Sequence, residues 1–220
     1  MIPGIIDFIL HIDVHLDAIV SAYPTLAYLF LFFIIFLETG VVVIPFLPGD
    51  SLLFVAGAIS ALGSMNVFVL FGLLLIAAII GDAVNYQIGR YVGPRVFNSK
   101  KFWLLNQNHL IKAQEFYDKH GKKTIVLARF VPIIRTFAPF VAGIGKMRYR
   151  EFALYNVIGA FLWCFIFIFG GYFFGNIPFV RANFGTFILL IIFVSVLPII
   201  IEVVRSVMGK KGTLRGMLEL

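Results

Sequence analysis

"PFLPGDSLLF", residues 45–54, interrupts what would otherwise read as one long apolar helix. "YLFLFFIIFLETGVVVI" (28–44) precedes it and "VAGAISALG" (55–63) follows. Pro45 and Pro48 each remove an amide donor and block helix continuation, Gly49 permits a sharp turn, and Asp50 adds a charge. Irregular backbone at membrane depth survives only where protein or a watered cavity satisfies it. A second stretch has the same grammar. "ARFVPIIRTFAPFVAGIGK" (128–146) carries Pro132 and Pro139, places Arg129 and Arg135 where the first has Glu38 and Asp50, and repeats "FVAG" at 140–143 after 54–57. Each stretch leads through a polar turn into one clean apolar helix, so the chain contains a weak internal repeat.

The setting is lipid. Of 220 residues, 61% are hydrophobic and 13% charged, with a mean hydropathy of +1.01, whereas about a quarter of a soluble domain is charged. Spanning helices are expected at 66–89, about 36 Å long at ~1.5 Å per residue, and at 152–175 and 184–204. Residues 1–22 read as an interfacial helix with mixed faces. There Asp7, His11 and His15 form a polar stripe rather than a metal site, because two histidines four apart lack further ligands. No cleavable signal peptide is expected, since three aspartates interrupt this stretch and no basic region opens it. Residues 90–123 mix Phe, Trp and Leu with Lys and Arg, as an amphipathic segment on a membrane surface does. Domain organisation is therefore a single transport domain, 23–204, with re-entrant segments at 26–62 and 124–146, followed by a basic tail at 205–220.

Charge sets the orientation. Residues 1–89 hold no Lys or Arg and six acids: Asp7, Asp13, Asp17, Glu38, Asp50 and Asp82. Residues 90–150 hold thirteen Lys/Arg against Glu115 and Asp118. A net charge of +7 often signals nucleic acid. Here the positive-inside rule accounts for it, placing the basic middle and the C-terminus in the cytoplasm. Tracing the spans from that end, 124–146 has both ends inside and 26–62 both ends outside. The two interrupted segments enter from opposite faces, an inverted repeat of broken helices such as transporters use near the bilayer midplane. The alternative is a pair of proline-kinked spanning helices.

An ionisable residue at membrane depth costs roughly 3 kcal/mol or more and is a functional candidate by default. The first hairpin supplies Glu38 and Asp50, the second Arg129 and Arg135. Paired planar guanidinium donors suit phosphate, and the carboxylates are candidate proton acceptors or switch sites. Equally, the four could simply brace the two repeats. Asp82, Tyr86 and Arg90 recur every four residues along one helix face and read as a polar seam. Asn156 and Trp163 read as helix–helix glue and an aromatic packing group. Cys164 stands alone in an apolar stretch, so no intramolecular disulfide can form.

"ETGVVVIPFLPGDSLLFVAGA", "GDAVNYQIGRYVG" and "ARFVPIIRTFAPFVAGIGKMRYREFALYNVIGAFLW" resemble the DedA family, whose membrane domain is shared with eukaryotic lipid scramblases of the VTT type. The resemblance covers nearly the whole chain. It implies that Glu38, Asp50, Arg129 and Arg135 are required. It also implies lipid transport in the bacterial inner membrane: return of undecaprenyl phosphate or a related phospholipid to the cytoplasmic leaflet, coupled to protons. Partners are then the lipid, the membrane and protons, with neither nucleic acid nor cofactor; a homo-oligomer is compatible.

Two further classes compete. A proton-coupled transporter of small cations or drugs would use Glu38 and Asp50 for substrate and Arg129 as a gate. A membrane enzyme such as a lipid phosphatase is disfavoured, because the histidines stand at 11, 15, 109 and 120 and no Ser-His-Asp order, metal-ligand cluster or Gly-rich phosphate loop is visible.

Overall fold

The computed structural model describes residues 20, 22–40, 49–97, 115, 118–183, 186, 187 and 190. Outside them lie Pro45 and Pro48, the stripe of Asp7, His11 and His15, most of the expected amphipathic segment, and nearly all of the expected third span with the basic tail. The described residues form helices and turns, with no strand among them. In chain order these are α1 (Pro24–Gly40), α2 (Gly49–Ala61), α3 (Val67–Phe97), α4 (Thr124–Ala128), α5 (Pro132–Ile144), α6 (Tyr149–Cys164), α7 (Gly170–Gly175) and α8 (Pro178–Ala182). A single 3-10 turn, Gly121–Lys123, leads into α4, and a π-helical turn, Phe165–Phe169, joins α6 to α7.

Among the described residues two helices are long and apolar enough to cross a membrane, Val67–Tyr91 and the continuous Tyr149–Gly175. They match the first two expected spans, except that α3 remains helical past Gly89 to Phe97. Gly89 does not end the helix because it is a packing position: a Cβ there would stand 2.2 Å from the Phe140 carbonyl oxygen. The other apolar helices are shorter. α1 has 17 residues, and α2 and α5 have 13 each, against about 20 for a full crossing. Large apolar side chains such as Phe30, Phe33, Phe68 and Phe173 point outward, as lipid-facing residues do.

Local chemistry explains the boundaries. Pro24 opens α1, where a missing amide costs nothing. Asn66 caps α3, its Oδ1 accepting from the amides of Phe68 and Val69 at 3.0 and 3.2 Å. Tyr28 of α1 fastens the same residue, its hydroxyl accepting the Asn66 amide at 2.7 Å. In the second hairpin the helix breaks at Arg129–Val131, and Val131 is extended (φ −115°, ψ 107°), as the residue before Pro132 must be. Pro132 opens α5.

One expected hairpin break requires correction. Pro139 lies inside α5. Its ring withholds an amide from the Arg135 carbonyl, yet α5 continues because it is clamped along α3. Gly49 is the first residue of α2 and borders residues 41–48, which lie outside the described residues. Its missing side chain makes room, since a Cβ there would stand 1.9 Å from Glu38 Oε2.

The internal repeat is physical. Within each repeat the first hairpin arm packs on its own long helix, α1 on α3 and α4 on α6. The second arm crosses to the long helix of the other repeat, α2 to the π turn and α7, and α5 to α3. The glycines of the two "FVAG" motifs make these crossings. A Cβ on Gly57 would meet the Ile168 carbonyl oxygen at 2.1 Å, and one on Gly143 the Tyr86 carbonyl oxygen at 2.2 Å. Three residues on, the relation is returned. A Cβ on Gly171 would meet the Phe54 carbonyl oxygen at 1.9 Å, just as Gly89 meets that of Phe140. The same two contacts are thus built twice, with the repeats exchanged. The symmetry is incomplete, because α3 is regular α-helix where its counterpart carries the π turn.

Candidate functional site

The ends of the short helices converge where the two repeats meet. Glu38 stands in the last turn of α1, Asp50 in the first turn of α2, Arg129 in the break after α4 and Arg135 in the first turn of α5. Arg135 bridges the first hairpin: its Nη2 donates to Glu38 Oε1 and its Nη1 to Asp50 Oδ1, the latter at 2.5 Å. Glu38 Oε1 also accepts the Gly49 amide at 3.2 Å, tying the end of α1 to the start of α2. The four residues expected from the sequence therefore lie at one centre.

Their pairing differs from the expectation in one respect. Arg129 reaches neither acid of the first hairpin. Its Nη2 donates to Asp82 of α3 and, at 2.7 Å, to Asn156 Oδ1 of α6. Asp82 and Asn156, expected only in a supporting seam, thus belong to the charged centre. Asn156 also donates its Nδ2 to the Ile79 carbonyl at 3.0 Å. Gly159 admits the arginine, because a Cβ there would press on Arg129 Cδ at 3.0 Å. Tyr86 and Arg90 lie farther along α3. The Tyr86 hydroxyl donates to the Met147 carbonyl and accepts from Arg90 Nη1 at 3.3 Å, so they fasten the turn before α6.

Two residues at the centre had no functional reading in the sequence. Trp163 donates its indole N–H to Asp50 Oδ1 at 2.7 Å, and both guanidinium carbons lie 5.7 Å from its ring centroid. It therefore stands against both arginine pairs. Asn85 donates its amide to the Thr39 carbonyl at 3.0 Å and to the Thr136 carbonyl at 2.8 Å, one from each hairpin. The available signals were spacing: Trp163 falls two helical turns after Asn156, and Asn85 one turn after Asp82.

The centre is enclosed. The side chains of Arg129 and Asp82 are each 6% exposed and that of Glu38 2%. A cavity of about 10 Å³ is lined by Glu38, Thr39, Asp82, Arg129, Arg135, Thr136 and Trp163, room for about one water. Formal charges do not cancel: Glu38, Asp50 and Asp82 face Arg129 and Arg135, leaving one carboxylate in excess. Among the described residues no cluster of side chains suits a metal ion.

Comparison with known proteins fits this geometry. The profile of the VTT domain matches residues 47–173, from just before α2 into α7. The protein DedA of Escherichia coli K12 is 58% identical over 207 residues, 93% of this chain and 94% of that one. The chain belongs to the VTT-domain, or DedA, family. An uncharacterized membrane protein of Mycobacterium leprae is 39% identical over 85% of this chain and 84% of its own. The inner membrane protein YghB of Escherichia coli K12 is 34% identical over 80% and 78%. No solved structure matches. The VTT-domain match takes in Asp50, Asp82, Arg129, Arg135, Asn156 and Trp163, while Glu38 precedes it. The protein is thus a membrane protein of the DedA family.

Proposed function

We propose that this protein is a lipid translocase moving undecaprenyl phosphate, or a related phosphate-headed lipid, across the bacterial inner membrane. The observation that carries the reading is the meeting of two arginines, the buried Arg129 and the half-buried Arg135, one from each end of the second hairpin's break, with carboxylates at the junction of the repeats. In this reading α1–α2 and α4–α5 are re-entrant hairpins dipping from opposite faces, and the C-terminus is cytoplasmic. The guanidiniums take the phosphate, the tail stays in lipid, and Glu38 and Asp50 act as proton and switch sites. The role is transport rather than catalysis.

Reconstitution in liposomes with labelled undecaprenyl phosphate, with and without a pH gradient, tests it. Arg129→Ala and Arg135→Ala are each expected to lower the translocation rate about 100-fold, the scale of losing a charge-assisted contact pair. Full transport by both folded variants would exclude the headgroup role.

One observation favours a second reading. The excess carboxylate gives the centre an affinity for cations, as a proton-coupled transporter of small cations would require. Thermal stabilisation by a soluble cation, and none by the phosphate lipid, would select it.

A further inference from the structure

Asp50 is held as a bound anion would be. One carboxylate oxygen, Oδ1, accepts from Arg135 Nη1 at 2.5 Å and from Trp163 Nε1 at 2.7 Å. Of the acids at the centre it is the accessible one, its side chain 36% exposed against 2% for Glu38 and 6% for Asp82. Glu38 is fixed from behind by the Gly49 amide, and Asp82 is enclosed with Arg129 and Asn156. The adjoining cavity of about 10 Å³ has room for about one water. A tetrahedral headgroup can reach these donors only by taking the place of the carboxylate.

We infer, resting on the transport reading above, that the Asp50 carboxylate is an internal stand-in for the substrate's phosphate. Arg135 and Trp163 form a subsite that a phosphate monoester enters as Asp50 swings out. The indole is suited to this. It is a donor only, so its N–H edge turns no lone pair toward the incoming anion, and its ring stands beside both guanidiniums, where the quadrupole favours cations. Arg135 keeps Glu38 as a partner throughout, so the exchange never strands its charge. Trp163 thereby becomes a residue that positions the headgroup.

Equilibrium binding of radiolabelled undecaprenyl phosphate to the full chain in nanodiscs tests this, with inorganic phosphate and the uncharged polyprenol as competitors. Asp50→Asn substitutes a neutral, weaker competitor and is expected to bind the lipid about tenfold more tightly than wild type. A brace between the repeats would give the opposite sign. Trp163→Phe keeps a ring but loses the N–H, and is expected to bind about tenfold more weakly with near-wild-type thermal unfolding. Unchanged or weaker binding by Asp50→Asn, where the wild type binds, overturns the stand-in role and leaves the transport reading in place. Failure of the wild type to bind overturns both. Competition by inorganic phosphate at concentrations similar to the lipid supports the subsite and assigns it to free phosphate; competition by polyprenol alone overturns it.

Discussion

Asp82→Asn would leave Arg129 in an enclosed site with Asn156 Oδ1 and the neutral amide that replaces its ion partner. Removing one member of a buried pair costs about 3–5 kcal/mol, because the other charge remains uncompensated. Asp82→Asn is therefore expected to unfold at markedly lower temperature in detergent. Adding Arg129→Gln should recover most of that loss, since both charges are then gone. A double variant no more stable than the single one would contradict the pairing. Gly49 supplies a second test at this scale. A Cβ there would collide with Glu38 Oε2 at 1.9 Å, and Glu38 cannot retreat without leaving Arg135. Gly49→Ala is expected to reproduce the transport loss of Glu38→Gln; transport by Gly49→Ala at the wild-type rate would contradict the close approach.

At the scale of helices, the repeated glycine–carbonyl crossings give matched predictions. Gly57→Ala and Gly143→Ala each place a methyl near 2 Å from a backbone carbonyl oxygen, and strain of this kind costs about 1–3 kcal/mol. Gly72 is also helical, with nothing within 4 Å of its would-be Cβ, so Gly72→Ala is expected to be neutral or stabilising by up to about 1 kcal/mol. Chemical unfolding of the three variants checks the contrast, and equal effects would refute it. The same crossings show what could be read without coordinates. "FVAG" at 54–57 and 140–143 was visible as a repeat, and of the four prolines Pro132 marks a break seen in the structure, while Pro45 and Pro48 lie outside the described residues. Which proline breaks its helix was not legible, because Pro132 and Pro139 offer the same local chemistry and only the clamp of α5 on α3 separates them. Partner choice was hidden for a similar reason. Arg129 could pair with any nearby acid by composition, and the approach of α4 to α6, itself packed on α3, selects Asn156 of α6 and Asp82 of α3. Trp163 read as packing because an indole in an apolar helix carries no sign of the carboxylate it meets from α2.

At the scale of the molecule, the fold sets the short helices α1, α2, α4 and α5 against two long helices and gathers their polar ends into one core. If the hairpins enter from opposite faces, the turns beyond them lie on opposite sides of the membrane. Ser64→Cys, between α2 and α3, is then expected to react with an impermeant thiol reagent from outside intact cells. Lys123→Cys, just before α4, should react only after permeabilisation. Cys164 is buried and serves as a silent background. Labelling of both positions from one side would exclude the inverted arrangement. The central claim, that both hairpins share one buried charged centre within the bilayer, is tested most directly by an electron cryo-microscopy structure of the full chain in lipid nanodiscs. It should show Arg135 within hydrogen-bonding distance of Glu38 and Asp50, and Arg129 within that distance of Asp82, midway through the lipid belt. Arginines facing bulk water, or standing most of a membrane's thickness from those carboxylates, would contradict it.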